Sequence, residues 1–433
     1  MNSKPKSDPF IAIACGGTGG HLFPGLAVAE QLRQRGCDVA LLVSPKDVDQ
    51  QAVKSALERR SPTRLDPVGV QASACLPGAP FEVFTLPAVG LQNRNYFSFA
   101  GSFVKSLFSA RRIFRRRQPQ AVLAMGGFTS APPIFVAKEL GVKTYLHESN
   151  TIPGRANRLL ARFVDEAFVG FPEAAARLKA RKTTSTGTPV RPQFQVRDPA
   201  VCRVALGLDP ERPVILVVGG SQGASGLNSL VLSALPLLAQ KSWQWLHLTG
   251  ANDFEKVKSA YAPLGFHAVV KPFLAEMDLA LGAAVAVVSR AGASSLAEIA
   301  AVRRPALLVP FPAAADNHQL FNARIYALSG AARLLEQKNA TPDQVAAILV
   351  ELVENGSARA KIESALELWH APESAEQIAA HILRFSFKAV DRVAAPRQSA
   401  AIKSLTAVNA AISGTDTSVL TRGENRPKNL SSA

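Results

Sequence analysis

The chain has 433 residues, 47% of them hydrophobic and 19% charged, and 49 Lys and Arg stand against 33 Asp and Glu for a net charge of +16. That length predicts two domains plus a tail, and the basic surplus calls for an anionic partner, whether nucleic acid, phosphorylated substrate or lipid. The cysteines Cys15, Cys37, Cys75 and Cys202 are scattered without a CxxC pair, which suggests neither a zinc site nor a disulfide framework and fits a reduced, cytoplasmic compartment.

Met1 to Pro9 is short and polar, and the apolar run behind it meets glycines too soon to be a signal-peptide core. No uncharged stretch approaches the ~20 apolar residues that span a bilayer, so any membrane contact is expected to be peripheral. Phe10–Cys15 predicts a buried strand and Leu26–Arg35 the helix after it. Val39–Val43, Ala121–Met125, Thr144–His147 and Ala167–Val169 follow as further strands. These runs are continuous rather than alternating, as in parallel strands covered on both faces, so the first half predicts a doubly wound α/β domain. The loop-like TGTPVRPQFQ at 186–195 marks a boundary. The pattern then restarts with Val214–Val218, a helix from about Leu227, and strands at Trp245–Leu248, Ala268–Val270, Val285–Val288 and Ala306–Val309. From Ala389 to Ala433 large apolar groups are few and Ser, Thr, Asn and Ala abound, which predicts a disordered, mildly basic tail.

Glycine loops follow the strands. Gly16 to Gly20 opens a helix, where close backbone approach and free N–H groups suit an anion, and ends in His21, a residue whose ordinary pKa suits proton transfer. A tight turn with a helix-capping histidine is the plain alternative. MGGFTS at 125–130 and HESN at 147–150 end two more strands of the same sheet, and all three ends point at the crevice where open α/β sheets bind ligands. In the second half, GGSQGASG at 219–226 repeats the first device. SRAGASSLAE at 289–298 leads from a strand into a helix N-terminus, again suited to a diphosphate. Glu298, one turn in, could take a ribose diol or simply offset the helix dipole. DNHQ at 316–319 and Asn322 could read sugar hydroxyls or form a polar surface turn.

No Asp or Glu occurs from Val83 to Lys138. A helix over Phe99–Arg117 would set Phe103 and Phe108 among Arg111, Arg112, Arg115, Arg116 and Arg117, the composition of an interfacial membrane helix. Two alternatives stand: the aromatics belong to the core with solvated arginines behind them, or the patch binds RNA, for which no signature is present.

GGTGGHLFPGLAVAEQL, MGGFTSAPP, HESNTIPGRANRLLARF, TGTPVR, GGSQGASGLN, SRAGASSLAEIA and DNHQLFNA together resemble, in order, the motifs of the lipid II-forming N-acetylglucosaminyltransferases of glycosyltransferase family 28. The resemblance covers about Phe10 to Phe387. It implies a GT-B fold, two Rossmann-like domains across a cleft: residues 1–188 for the lipid I acceptor and membrane association, and 189–373 for UDP-GlcNAc. A helix at 374–388 would cross back, and the tail at 389–433 is not covered. Ser374 with Gln377 reads as a capping box opening that helix. By matching motifs, Thr18, Gly19, Gly20 and Asn150 are expected near sugar and acceptor, Arg191 and Ser221 near the nucleotide phosphates, and the Leu274 backbone at uracil. Ala293, Ser294, Ser295, Leu296, Ala297 and Glu298 would cradle diphosphate and ribose, and Gln319 would read the GlcNAc hydroxyls. Phe128 stands where a tyrosine is common, Ser149 where Gln is, and His318 where some members carry a second Gln.

The implied reaction is a single inverting displacement by the MurNAc C4 hydroxyl, with His21 as general base. No carboxylate cluster for a metal appears in these motifs, so neither metal nor cofactor is expected. The implied partners are UDP-GlcNAc, undecaprenyl-linked lipid I, anionic inner-leaflet lipids and other cell-wall synthesis proteins, with no nucleic acid. The implied place is the cytoplasmic face of the inner membrane, and the implied process is peptidoglycan synthesis, cell shape and division. Three rivals remain: a diacylglycerol glycosyltransferase, a UDP-GlcNAc epimerase and a non-catalytic scaffold.

Overall fold

Apolar runs with no polar interruption can be desolvated only between two layers, and they become the central strands of two sheets. A computed structural model describes residues 8–16, 19–46, 81–88, 96–220 and 223–386. The first sheet holds β1 (Phe10–Ala14), β2 (Asp38–Val43), β3 (Glu82–Thr85), β4 (Ala121–Ala124), β5 (Lys143–Glu148), β6 (Glu166–Val169) and β7 (Thr183–Ser185), in the order β3-β2-β1-β4-β5-β6-β7. The second holds β8 (Val214–Val218), β9 (Gln244–Leu248), β10 (His267–Lys271), β11 (Ala286–Ser289), β12 (Ala306–Leu308) and β13 (Arg333–Leu334), in the order β10-β9-β8-β11-β12-β13. Every pairing is parallel.

Register decides where the loops open. Ala14 pairs with Ala124 and Ala124 with Leu146, so the loops after β1, β4 and β5 leave one edge of the first sheet. Ser289 pairs with Val218 and with Leu308, which does the same for β8, β11 and β12. In each sheet the chain order reverses beside the first strand, and ligands bind at such a point. The glycine-loop helix runs Gly19–Gln34, well ahead of its expected start, because the loop glycines already take helical conformation and Pro24 falls in its first turns.

Apolar side chains fill both faces of the first sheet and surround the second. The chain crosses between domains twice, and the crossings touch: a Cβ on Gly187 (φ +78°) would lie 2.3 Å from the Ala371 Cβ. After the second crossing a helix, Ser374–Ser386, buries Ala375, Ile378, Ala379 and Ile382 in the amino-terminal core beside the Gly19–Gln34 helix. Each fully buried Ile contributes roughly 1.5–3 kcal/mol. Arg35–Glu376 (2.7 Å) and His381–Glu166 (3.3 Å) fix its rotation. The expected capping box does not form. Ser374 opens the helix, but its hydroxyl donates to the Gly187 carbonyl at 2.9 Å, while the Gln377 N–H and side-chain amide donate to Glu373 instead (2.8 and 3.3 Å). The expected tail, 389–433, lies outside the described residues.

Candidate active site

The carboxyl edges of the two sheets face each other across a cleft of about 580 Å³. His21 enters it from the first turn of the Gly19–Gln34 helix and lies on the backbone of the second glycine loop. A Cβ on Gly126 would stand 2.9 Å from its Cε1, and one on Gly127 3.4 Å from its Cδ2. Both glycines hold positive φ (109° and 76°), so glycine is needed there for conformation and for room.

Beyond β5, Glu148 organises the loop that carries Asn150. Its Oε1 accepts from the Asn150 N (2.8 Å) and Nδ2 (3.1 Å), and its Oε2 from the Gly154 N (2.9 Å) and the Asn157 Nδ2 (2.7 Å). Four N–H donors thus replace water around a carboxylate that is 1% exposed. The preceding His147 is wholly buried: its Nε2 donates to the Gly187 carbonyl (3.0 Å) and its Nδ1 accepts from the Ser149 hydroxyl (3.2 Å). Burial pushes its pKa down to about 4, so it is neutral and structural.

The opposite wall holds Leu274, Ala293, Ser294, Ser295, Glu298 and Gln319. The helix Ala293–Val302 points its N-terminus into the cleft. The carboxyl of Glu298 is raised by burial, and Arg191 at 3.3 Å pulls against that rise. Arg191 itself is stacked between Phe23 (4.0 Å) and Phe194 (4.9 Å), one ring from each domain. Gln319 Oε1 accepts from the Ala291 N (3.3 Å) and the Phe311 N (3.0 Å), which turns its amide NH₂ toward any ligand.

Hydrogen bonds at Ser294 and Asn322 help to bridge the walls. The Ser294 hydroxyl donates to the Gly20 carbonyl at 2.9 Å. Buried Asn322 accepts from the Thr151 N (3.0 Å) and hydroxyl (2.9 Å), and donates to Asn150 Oδ1 (3.0 Å) and the Ala291 carbonyl (3.1 Å). Its full hydrogen-bonding capacity joins the loop after β5 to the loop after β11.

Residues 11–169 match the Glycosyltransferase family 28 N-terminal domain and residues 214–380 its C-terminal domain. A UDP-N-acetylglucosamine--N-acetylmuramyl-(pentapeptide) pyrophosphoryl-undecaprenol N-acetylglucosamine transferase of Anaeromyxobacter sp. is 36% identical over 383 residues, 85% of this chain and 91% of that protein. The chain belongs to glycosyltransferase family 28. A Synechococcus sp. relative of the same name is 36% identical over 393 residues, covering 88% of this chain and 98% of its own. Acinetobacter baumannii MurG is similar in structure, with a TM-score of 0.64 at 25% identity over 87% of this chain and 100% of that one. A UDP-N-acetylglucosamine 2-epimerase reaches a TM-score of 0.61 at 12% identity over 87% of this chain and 96% of its own, and so shares the fold alone. The two parallel-sheet domains and their cleft are the GT-B architecture, and the chain is a glycosyltransferase.

Within this family 28 frame the expected residues divide. His21, Gly19, Gly20, Asn150, Arg191, Leu274, Ala293, Ser294, Ser295, Glu298 and Gln319 line the cleft. Thr18 and Ser221 lie outside the described residues. Leu296 and Ala297 lie on the same helix between Ser295 and Glu298; both are buried, and the Leu296 side chain sits in the carboxy-terminal core. Among the described residues no group of His, Cys, Asp and Glu is assembled as a metal site. Glu148, Asn157 and Asn322 as organisers were missed by sequence reasoning. Four polar residues after a strand are the only signal for the first.

The basic helix runs Tyr96–Arg116. Its 3.6-residue period places Ser106, Ala110 and Phe114 inside, with Phe103 packed against Phe135 (6.3 Å between centroids). Phe97, Val104 and Phe108 are exposed on another face, which continues into the exposed Arg112, Arg115 and Arg116. Phe103 is partly buried against the core, and Arg111 and Arg117 pair with Glu139 and Asp38. Among the described residues no helix is long and apolar enough to cross a membrane.

Proposed function

We propose that the protein transfers N-acetylglucosamine from UDP-GlcNAc to the C4 hydroxyl of MurNAc in undecaprenyl-diphospho-MurNAc-pentapeptide (lipid I), with inversion, giving lipid II and UDP for peptidoglycan synthesis. One observation carries the reading: His21 and the Ala293–Val302 helix N-terminus face each other across a single cleft whose walls are joined at Ser294 and Gly20. The C4 oxygen attacks the anomeric carbon from the face opposite UDP. His21 takes the hydroxyl proton, the anomeric C–O bond breaks, and its electron pair leaves on the diphosphate. The N–H groups at Ala293, Ser294 and Ser295, with Arg191, meet that charge. Glu298 holds the ribose, Leu274 meets uracil through its backbone, Gln319 donates to GlcNAc hydroxyls, and Asn150 orients the acceptor. Thr18 and Ser221 complete the two glycine loops.

The exposed stripe of Phe97, Val104 and Phe108 with Arg112, Arg115 and Arg116 docks the protein peripherally on the anionic cytoplasmic leaflet, where a lipid-anchored acceptor lies. Replacing the three arginines by Ser is expected to weaken binding to anionic liposomes at low salt, with the difference shrinking as salt rises.

The deciding assay is transfer of radiolabelled GlcNAc to a lipid I analogue with and without EDTA. Transfer that persists in EDTA is expected. Acceptance of diacylglycerol in place of lipid I would overturn the acceptor assignment.

A further inference from the structure

The proposed acceptor joins a lipid anchor to its reacting sugar through a diphosphate, so those charges must lie between the membrane-facing surface and His21. The inference below rests on that reading. Arg155 and Arg158 follow Asn150 on the amino wall, and Arg155 lines the cleft with a side chain 83% exposed. The same segment continues into the exposed Leu159 and Phe163. From Phe163 a chain of rings runs to Phe135 (5.5 Å), Phe103 (6.3 Å) and Phe99 (6.2 Å) on the basic helix. The two arginines therefore stand where an apolar track from the membrane-facing helix meets the cleft.

Both guanidinium groups converge on one carboxylate of the other domain. Arg158 Nη2 is 2.6 Å from Asp316 Oδ2, and Arg155 Nη2 is 3.5 Å from Asp316 Oδ1. An anion bracketed by two guanidinium forks is a geometry that carboxylate and phosphate share. The turn presenting Asp316 is strained: Asp316 (φ 50°) and Asn317 (φ 53°) both occupy the left-handed region, which non-glycine residues enter at a cost and which recurs at clamps and switches. Partly exposed ion pairs of this kind are weak, so a multiply charged diphosphate outcompetes a single carboxylate.

We propose that Arg155 and Arg158 form an anion subsite for the diphosphate of the lipid-linked acceptor, and that Asp316 is its internal stand-in when no acceptor is bound. Acceptor binding then exchanges the ion pair to Asp316 for phosphate and frees the strained turn, while Asn322 and Ser294 keep the walls together.

The test uses the full chain, UDP-GlcNAc, and lipid I analogues with a diphosphate or a monophosphate linker. In Arg155→Gln/Arg158→Gln, KM for the diphosphate acceptor is expected to rise about tenfold or more, a step equivalent to one charge-assisted contact. kcat and the Kd for UDP-GlcNAc should stay within about twofold. The monophosphate acceptor should lose less, so that the preference for diphosphate collapses. Lys at both positions should restore most of that preference. Asp316→Asn, by removing the competitor, should lower KM for the diphosphate acceptor. Equal losses on both acceptors, or an Asp316→Asn variant whose KM rises like that of the double variant, would reduce the trio to a structural clasp and overturn the subsite. A wild-type chain that binds UDP-GlcNAc but transfers to neither acceptor removes the functional reading and the subsite together. Wild-type transfer with an undiminished diphosphate preference in the double variant removes the subsite alone.

Discussion

The two halves of this enzyme share a scaffold and divide the chemistry. Each has a parallel sheet whose order reverses beside its first strand, and each follows that strand with glycines and a helix. The amino-terminal side of the cleft carries His21, Glu148, Asn150 and Asn157, to which the proposed mechanism gives proton transfer and loop positioning. The carboxy-terminal side offers backbone amides at Ala293–Ser295, a hydroxyl at Ser294 and the carboxylate of Glu298, to which it gives the diphosphate and ribose. A parallel sheet edge is a neutral platform, and the residues just past each strand decide whether a half reacts or binds.

The sharpest way to break that division is His21→Ala. Loss of a general base is expected to cut turnover by roughly 10²–10⁴. UDP-GlcNAc affinity, measured by calorimetry, should hold, because the proposed donor site is on the other wall. A variant that loses donor binding as well would place His21 in the donor site and erase the distinction.

Glu298→Ala tests the converse with a smaller effect. Removing a charged hydrogen-bond acceptor costs ~1.5–3 kcal/mol of binding, roughly ten- to a hundredfold in Kd for UDP-GlcNAc. Its loss also leaves Arg191 stacked on Phe23 and Phe194 without its carboxylate at 3.3 Å, so part of the effect acts through the arginine. Glu298→Gln keeps the shape and should fall between wild type and Ala. A kcat that drops while Kd stays constant would move Glu298 from binding to chemistry.

Sequence and structure agree where a signal is local. Buried central strands such as FIAIA and VILVV are continuous apolar runs and are legible at once. Three of the four edge strands, β3, β7 and β13, read EVFT, TTS and RL, half-buried and too mixed or short to stand out. His21 and Glu298 are legible because a glycine loop or a helix start announces them. Asn322 is not, because its meaning comes from Thr151, 171 residues earlier, and the fold alone brings the two together. A motif is read as a block, whereas a helix presents only part of its circumference to a cleft or a surface: the Leu296 side chain sits in the core, and Phe103 packs against Phe135.

A last comparison concerns the single wholly buried histidine that each half places on a central strand. His147 on β5 donates from Nε2 to the Gly187 carbonyl. His247 on β9 pairs through Nε2 with Asn228 Oδ1 (3.1 Å) and through Nδ1 with the Tyr261 hydroxyl (3.0 Å). The Asn228 amide NH₂ is already spent on the Thr249 carbonyl and on Asp253, so its oxygen accepts and His247 is the Nε2–H tautomer. Burial lowers the two pKa values to about 4 and about 3, from 6.5. Between those values and 6.5 the unfolded chain binds protons that the folded chain refuses, so stability is full above pH 6.5 and falls as pH drops through that window. The melting temperature is therefore expected to decline from pH 7.5 to pH 5, by ~2–4 °C for each kcal/mol lost in domains of this size. His247→Asn should be less stable at pH 7.5 yet show a shallower decline, since one refused proton is gone; His370, whose pKa burial also lowers, contributes to the same window in both chains. Below pH 4.5 a second loss begins at Glu166. Burial there opposes ionisation, but hydrogen bonds from His381, Lys182 and Thr184 outweigh it and hold the pKa near about 2. That second loss should be blunted in Glu166→Gln, whereas the decline between pH 6.5 and 5 should be unaffected. A Glu166→Gln profile flattened above pH 5 instead would assign the acid sensitivity to the returning helix rather than to the two buried histidines.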